Sequence, residues 1–208
     1  MWNDSNKWVF NKSCKSPEKL LAEALGYLDA FDVVHSLGFD SPLSCALNWL
    51  PPLVGSVKVN CDASLVAVCP GVGIGCCLRD SYGVLLRAVS IFKRCSPFVL
   101  LAELVAIAEG LKIAKDYGFP HVVLESDSKG AIDIVLSREL YLNEVGSVLL
   151  DIFEFAKNMD VIFNFVPRVC NVVAHSLARH ALISSSSESW DSLFPDWLGD
   201  LVSHDRLI

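Results

Sequence analysis

The feature that most restricts this chain is a change of period. From residue 57 apolar and polar residues alternate, and from residue 98 the apolar ones recur at helical spacing. Val57, Val59 and Cys61 alternate with Lys58, Asn60 and Asp62, which predicts a strand with one polar face. "GVGIGCCLR" and "GVLLRAVSIF" follow as two more strands. They flank "DSYG", with glycine where a type I turn favours it. A three-strand meander is the result.

"SPFVLLAELVAIAEGLKIAKDYG" then carries helical periodicity, opened by Ser96-Pro97 and closed by Gly118. "HVVLES" is long enough for one buried strand. "DSKGAIDIVLS" and "VGSVLLDIFEFAKN" predict two helices, "VIFNFVP" a last strand stopped by Pro167, and residues 171–182 a last helix. The order βββαβααβα predicts an α/β fold. Its mixed five-stranded sheet would be antiparallel in the meander and parallel beyond it, with helices on its faces.

The flanks differ from this core. Ser16-Pro17 opens a predicted helix whose Leu20, Leu21, Ala24, Leu25, Leu28 and Phe31 share one face, and the Pro51-Pro52 pair marks a boundary. "SSSSESWDS" is expected to be a flexible linker, followed by an acidic aromatic tail that docks Trp190, Phe194 and Trp197. The expected organisation is thus an extension over 1–52, one domain over 53–183 and a linker with tail over 184–208. At 52% apolar residues, 208 residues suffice for one sizeable core.

Composition excludes several classes. Charges such as Glu103 and Glu109 break every long apolar run, so no membrane span is predicted, and "MWNDSNKWVF" lacks a secretory pattern. A soluble intracellular protein is expected. The eight cysteines, at 14, 45, 61, 69, 76, 77, 95 and 170, form no CxxC pair and read as buried free thiols.

Three carboxylates sit in awkward places. Glu103 lies mid-way along an apolar helix, where a charge needs a partner. Asp127 follows "VVLES" at the C-terminal edge of a strand, where open α/β sheets place ligand sites, and Asp62 is on the polar side of the first strand. Each has a local reading: an Asx turn for Asp62, a helix cap for Asp127, a lysine or arginine partner for Glu103. If the first and fourth strands are neighbours, all three converge on one sheet edge. Clustered carboxylates then call for a hard cation such as Mg²⁺ or Mn²⁺.

"VKVNCDAS", "GVGIGCCLRDSYGVLL", "AELVAIAEGLKIAKDYG", "VVLESDS" and "VPRVCNVVAHSLARHA" resemble, in order and spacing, the ribonuclease-H-like domains associated with plant non-LTR retrotransposon reverse transcriptases. The resemblance covers roughly residues 57–182. It implies a ribonuclease-H fold, cleavage of the RNA strand of RNA–DNA hybrids by two metal ions, Mg²⁺ or Mn²⁺, and a reverse transcriptase domain as a possible partner. Carried over by position, Asp62, Glu103 and Asp127 are the metal-binding carboxylates. Ser64, Gly73, Arg168 and Asn171 are the expected nucleic-acid contacts. For Gly71, Gly73 and Gly75, the bare face of strand two suits either ribose approach or helix packing. Asn171 also suits a helix cap.

The chain departs from the family's catalytic pattern at His175, which stands where active enzymes carry a fourth acid. Imidazole suits Mg²⁺ poorly, so weaker activity in Mg²⁺ than in Mn²⁺ is expected. The loop "PRVCN" holds no histidine, and the basic handle of the cellular enzymes is absent, since only "SRELYLNE" separates the middle helices. The net charge is −7, of which residues 57–182, with 12 basic and 13 acidic groups, supply −1. Weak binding without a partner domain follows. The alternative is a module of the same fold that binds nucleic acid or a protein without useful turnover.

Overall fold

Alternation along the first strand divides the molecule into two sides. The computed structural model describes residues 48–66, 71–94, 98–139 and 141–207. The helix expected over 17–31 lies outside them, as do Cys14, Cys45, Cys69, Cys95 and Ser96-Pro97. From Ala46 onward the chain forms one unit.

Strand β1 (Val57–Leu65) turns Val57, Val59, Cys61 and Ala63 into the larger apolar core. Lys58, Asn60 and Asp62 point to the opposite face, as the period-two pattern requires. The meander continues with β2 (Val72–Arg79) and β3 (Leu85–Lys93), both antiparallel pairings. In the turn between β2 and β3, Asp80 Oδ1 accepts from the backbone of Tyr82 and Val84, and Gly83 takes φ 71°.

Helix α1 (Val99–Asp116) crosses the face that carries Val59 and Cys61, and Gly118 at φ 72° closes it. β4 (His121–Ser126) then lies parallel to β1 on its other edge, and β5 (Asp160–Phe165) lies parallel to β4. Between these strands run α2 (Lys129–Ser137) and α3 (Glu144–Ala156), whose N-caps are Ser128 and Asn143. Each cap side chain accepts a backbone N–H of the first turn. After β5, a 3₁₀ turn (Arg168–Cys170) leads into α4 (Val172–Ser184). This helix packs on the second face of the sheet, with Val173 and Leu177 in an apolar cluster of their own.

The sheet has six strands, in the order β5-β4-β1-β2-β3-β6, against the five expected. The extra strand, β6 (Glu188–Trp190), falls in the stretch expected to be a flexible linker and pairs antiparallel with β3. Three residues on a sheet edge are too few to show a period, so the serine-rich composition hid the strand. Beyond it, α5 (Asp196–Leu207) carries Leu198 and Val202 into the second cluster, and Trp190 and Phe194 pack against it. The expected docking of these aromatics is what the structure shows. Trp197 stacks on His180 with ring centroids 5.2 Å apart.

β2 is buried along its whole length, because α1 covers one of its faces and α4 the other. Its glycines belong to the second contact. A Cβ on Gly73 would collide with the Ala178 carbonyl, and one on Gly75 with that of Ala174. The bare face of β2 is therefore filled by the backbone of α4, which corrects the expectation that Gly73 meets nucleic acid. The cysteines within the described residues, Cys61, Cys76, Cys77 and Cys170, are buried and free. No helix among the described residues is long and apolar enough to cross a membrane.

Candidate active site

Asp62, Glu103 and Asp127 reach one point from three elements. Parallel pairing sets Cys61 of β1 against Ser126 of β4, so the residue after each lies at the same edge. Those residues are Asp62 and Asp127. Glu103, in the first half of α1, reaches the same edge from the other face, and one carboxylate oxygen of each acid lies within 4.8 Å of the others.

Two of the local readings, a helix cap for Asp127 and a cationic partner for Glu103, do not hold. Ser128, and not Asp127, caps α2. Among the described residues no lysine or arginine forms a salt bridge with Glu103, and its buried Oε2 has no hydrogen-bond partner. Burial, together with the charges of Asp62 and Asp127, pushes the Glu103 carboxyl up to about 9. Burial and the neighbouring Asp127 raise Asp62 to about 8. Three crowded hard-oxygen donors, one with an orphaned atom, are a donor set suited to Mg²⁺ or Mn²⁺.

His175 stands against this trio from the first turn of α4. Its Nδ1 lies 2.7 Å from Asp62 Oδ2, and its Nε2 lies 2.9 Å from an Arg168 nitrogen. The same Arg168 nitrogen also lies 3.2 Å from Nδ1, and an ionised Asp62 carboxylate can only accept, so with Asp62 ionised Nδ1–H donates to it and Nε2 carries the lone pair. Burial and the Arg168 charge lower the basicity of His175, consistent with a neutral ring. Both ring nitrogens are thereby engaged.

Asn171 does not cap α4 with its side chain. It is fully buried and donates from Nδ2 to the Cys61 carbonyl at 3.0 Å and to Asp127 Oδ1 at 3.2 Å. This inward role escaped the sequence reading, although its signal was present. Asn171 and His175 are four residues apart, hence on one face of a helix. Arg168 remains at the surface beside His175, and Ser64 is half-buried toward the end of β1. The structure thus gathers Asp62, Glu103, Asp127, His175, Arg168 and Asn171, and separates Gly73 from them. A groove of about 770 Å³ between α2, α3 and β5, lined by Phe153, Met159 and Phe163 among others, contains none of these acids.

Beyond Asp62, the same face of β1 carries a second polar cluster. Lys58 pairs with Glu125 at 2.6 Å, and Arg79 pairs with Asp205 of α5 at 2.5 Å. Asn60 accepts from Arg79 at 2.8 Å and from the Trp49 indole at 2.9 Å, and donates to Glu125 at 3.0 Å. The Trp49 ring lies 3.5 Å from the Arg79 guanidinium carbon.

No curated protein matches the chain. Among solved structures, ribonuclease H1 of the archaeon Halobacterium salinarum is similar at TM-score 0.58 and 21% identity, over 62% of this chain and 98% of that one. The N-terminal RNase H domain of a Mycobacterium tuberculosis protein is similar at 0.57 and 19%, over 62% and 95%. LC11-RNase H1, solved in complex with an RNA/DNA hybrid, is similar at 0.57 and 17%, over 62% and 98%. At these identities the likeness establishes a shared fold, the ribonuclease-H fold. Residues 60–181, more than half of the chain, match the family described as reverse transcriptase-like, and the protein belongs to that family.

Proposed function

We propose that the domain over residues 53–183 hydrolyses the RNA strand of RNA–DNA hybrids with divalent metal ions held by Asp62, Glu103 and Asp127. The observation that carries this reading is the convergence of three carboxylates, two of them buried, with an orphaned Glu103 oxygen and no salt bridge to lysine or arginine among the described residues. The family match and the shared fold support it. When bound, the ions, Mg²⁺ or Mn²⁺ and two in our reading, supply Lewis acidity for activating water and positive charge against the phosphate oxygens.

The chain's own residues hold and orient. His175 donates to Asp62 and Asn171 donates to Asp127, so each strand-derived acid is fixed from α4. In this reading the surface guanidinium of Arg168 meets a backbone phosphate, and Ser64 borders the same edge. Hybrid recognition then rests on backbone shape and 2′-hydroxyls. Because the core is slightly acidic, its grip on hybrid in isolation is weak. His175 favours a second reading, a module that binds without turnover, since it removes the fourth carboxylate.

Cleavage of labelled RNA–DNA hybrid and of double-stranded RNA, in Mg²⁺ and in Mn²⁺, beside Asp127→Asn, tests the proposal. Hybrid-specific cleavage that Asp127→Asn reduces to background is the expected result. A folded protein without metal-dependent cleavage overturns the enzyme and leaves the binding module.

A further inference from the structure

The geometry points to Asn171 as a positioning residue that holds the Asp127 carboxylate at a set distance from β1. The inference rests on the reading that the three acids take a divalent ion.

Asn171 is fully buried, and its amide orientation follows from its neighbours. The Cys61 carbonyl, at 3.0 Å, and Asp127 Oδ1, at 3.2 Å, can only accept, so Nδ2 must face both. One hydrogen goes to each. The consequence is that Oδ1 is buried without a partner among the described residues. A folded protein normally satisfies such an atom, and one left over needs a reason. Here the reason is the tie itself, since turning the amide to satisfy Oδ1 would take its donors away from Asp127.

The tie is placed where it controls the site. Cys61 immediately precedes Asp62, so the amide bridges the backbone beside one acid to the carboxylate of another. β4 ends at Ser126, leaving Asp127 outside the hydrogen-bonded ladder of the sheet. Its carboxylate therefore depends on side-chain contacts for its direction. One turn further along α4, the backbone N–H of His175 donates to the Asn171 carbonyl at 3.0 Å, while the His175 ring reaches Asp62. A single helical turn thus grips both strand acids. Asn171 acts through Asp127 and is distinct from a nucleic-acid contact, because its side chain is enclosed.

Outer partners of metal ligands typically change affinity by 10–100-fold when removed. The test compares the full chain with Asn171→Ala and Asn171→Leu, the second close to isosteric in case the first fails to fold. Mn²⁺ affinity is read by calorimetry without nucleic acid, folding by circular dichroism in chelator, and kcat and KM on hybrid separately. The expected result is a folded variant with Mn²⁺ affinity lowered about tenfold or more. Its kcat falls while KM for hybrid stays within about twofold, and excess Mn²⁺ recovers kcat. Unchanged Mn²⁺ affinity, a rise in KM with kcat intact, or failure of both variants to fold overturns it, marking a nucleic-acid contact or a packing residue. If the unaltered chain cleaves nothing yet loses Mn²⁺ affinity in the variants, the positioning role stands and the ribonuclease reading falls.

Discussion

Two buried polar clusters lie along one face of β1, and they are built on opposite terms. Lys58 and Asn60 enter a network in which Arg79 faces Asp205, Lys58 faces Glu125 and Asn60 links the two. Asp62, two residues on, enters a group of three carboxylates with no salt bridge to lysine or arginine among the described residues. Register explains the difference. Across β2, Lys58 lies opposite Arg79, whereas Asp62 lies opposite Gly75, which brings no side chain at all. In the first cluster each charged group meets an opposite charge within the fold, with Arg79 Nε alone left without a hydrogen-bond partner among the described residues of that cluster. The second, on the proposed function, is completed by a cation from outside the chain.

The contrast makes testable claims, beginning with the charge-paired cluster. Arg79→Met leaves Asp205 charged and unpaired in a buried place, and breaking such a pair costs about 3–5 kcal/mol. Urea unfolding measures the loss. A change below about 1 kcal/mol would show that α5 is anchored by its apolar contacts alone.

The carboxylate cluster behaves in the reverse sense. In chelator, Asp62 and Glu103 bind protons more tightly in the folded chain, with pKa values near 8 and 9, than in the unfolded chain. Their contribution is fully present below the unfolded value of about 4 and is lost as pH rises through about 8 to 9. Unfolding free energy in chelator should fall steadily between about pH 5 and pH 9, with saturating Mg²⁺ flattening the slope. A slope that is the same with and without Mg²⁺ would show that no cation neutralises the trio.

The smallest effect concerns the boundary between the clusters and the ion. His175→Asp restores a fourth carboxylate and should raise Mg²⁺-supported cleavage relative to Mn²⁺-supported cleavage by about tenfold. Equal rates in the two metals for the unaltered chain, with no change in the variant, would remove His175 from any account of metal choice.

The sequence made one of these clusters visible and concealed the other. Glu103 stood out because a carboxylate in an apolar helix is costly and Asp127 because it follows the C-terminal end of a strand, while their meeting with Asp62 was expected on the condition that the first and fourth strands are neighbours. Arg79 looked like an ordinary strand end. Its partner Asp205 is 126 residues away, on a helix whose sequence gave no reason to place it beneath the sheet. Likewise the meander, the long helix and the parallel strand were legible from period alone. β6 was not, being a three-residue edge strand held by its pairing with β3 and by contacts around Trp190. Asn171 was legible as a helix boundary. That its amide turns inward depends on Cys61 and Asp127, which only the folded chain brings near.

Gly73 and Gly75 bear on how such a site can change over time. With no Cβ between them and the carbonyls of Ala178 and Ala174, they set α4 at backbone contact with the sheet, at the height from which His175 and Asn171 reach the acids. A methyl group is the smallest step available at either position, and it is already too large. The height of the helix therefore cannot drift by degrees. Adaptation of the centre has to proceed by exchanging the side chains that the helix carries, above all at position 175, while the frame that presents them stays fixed.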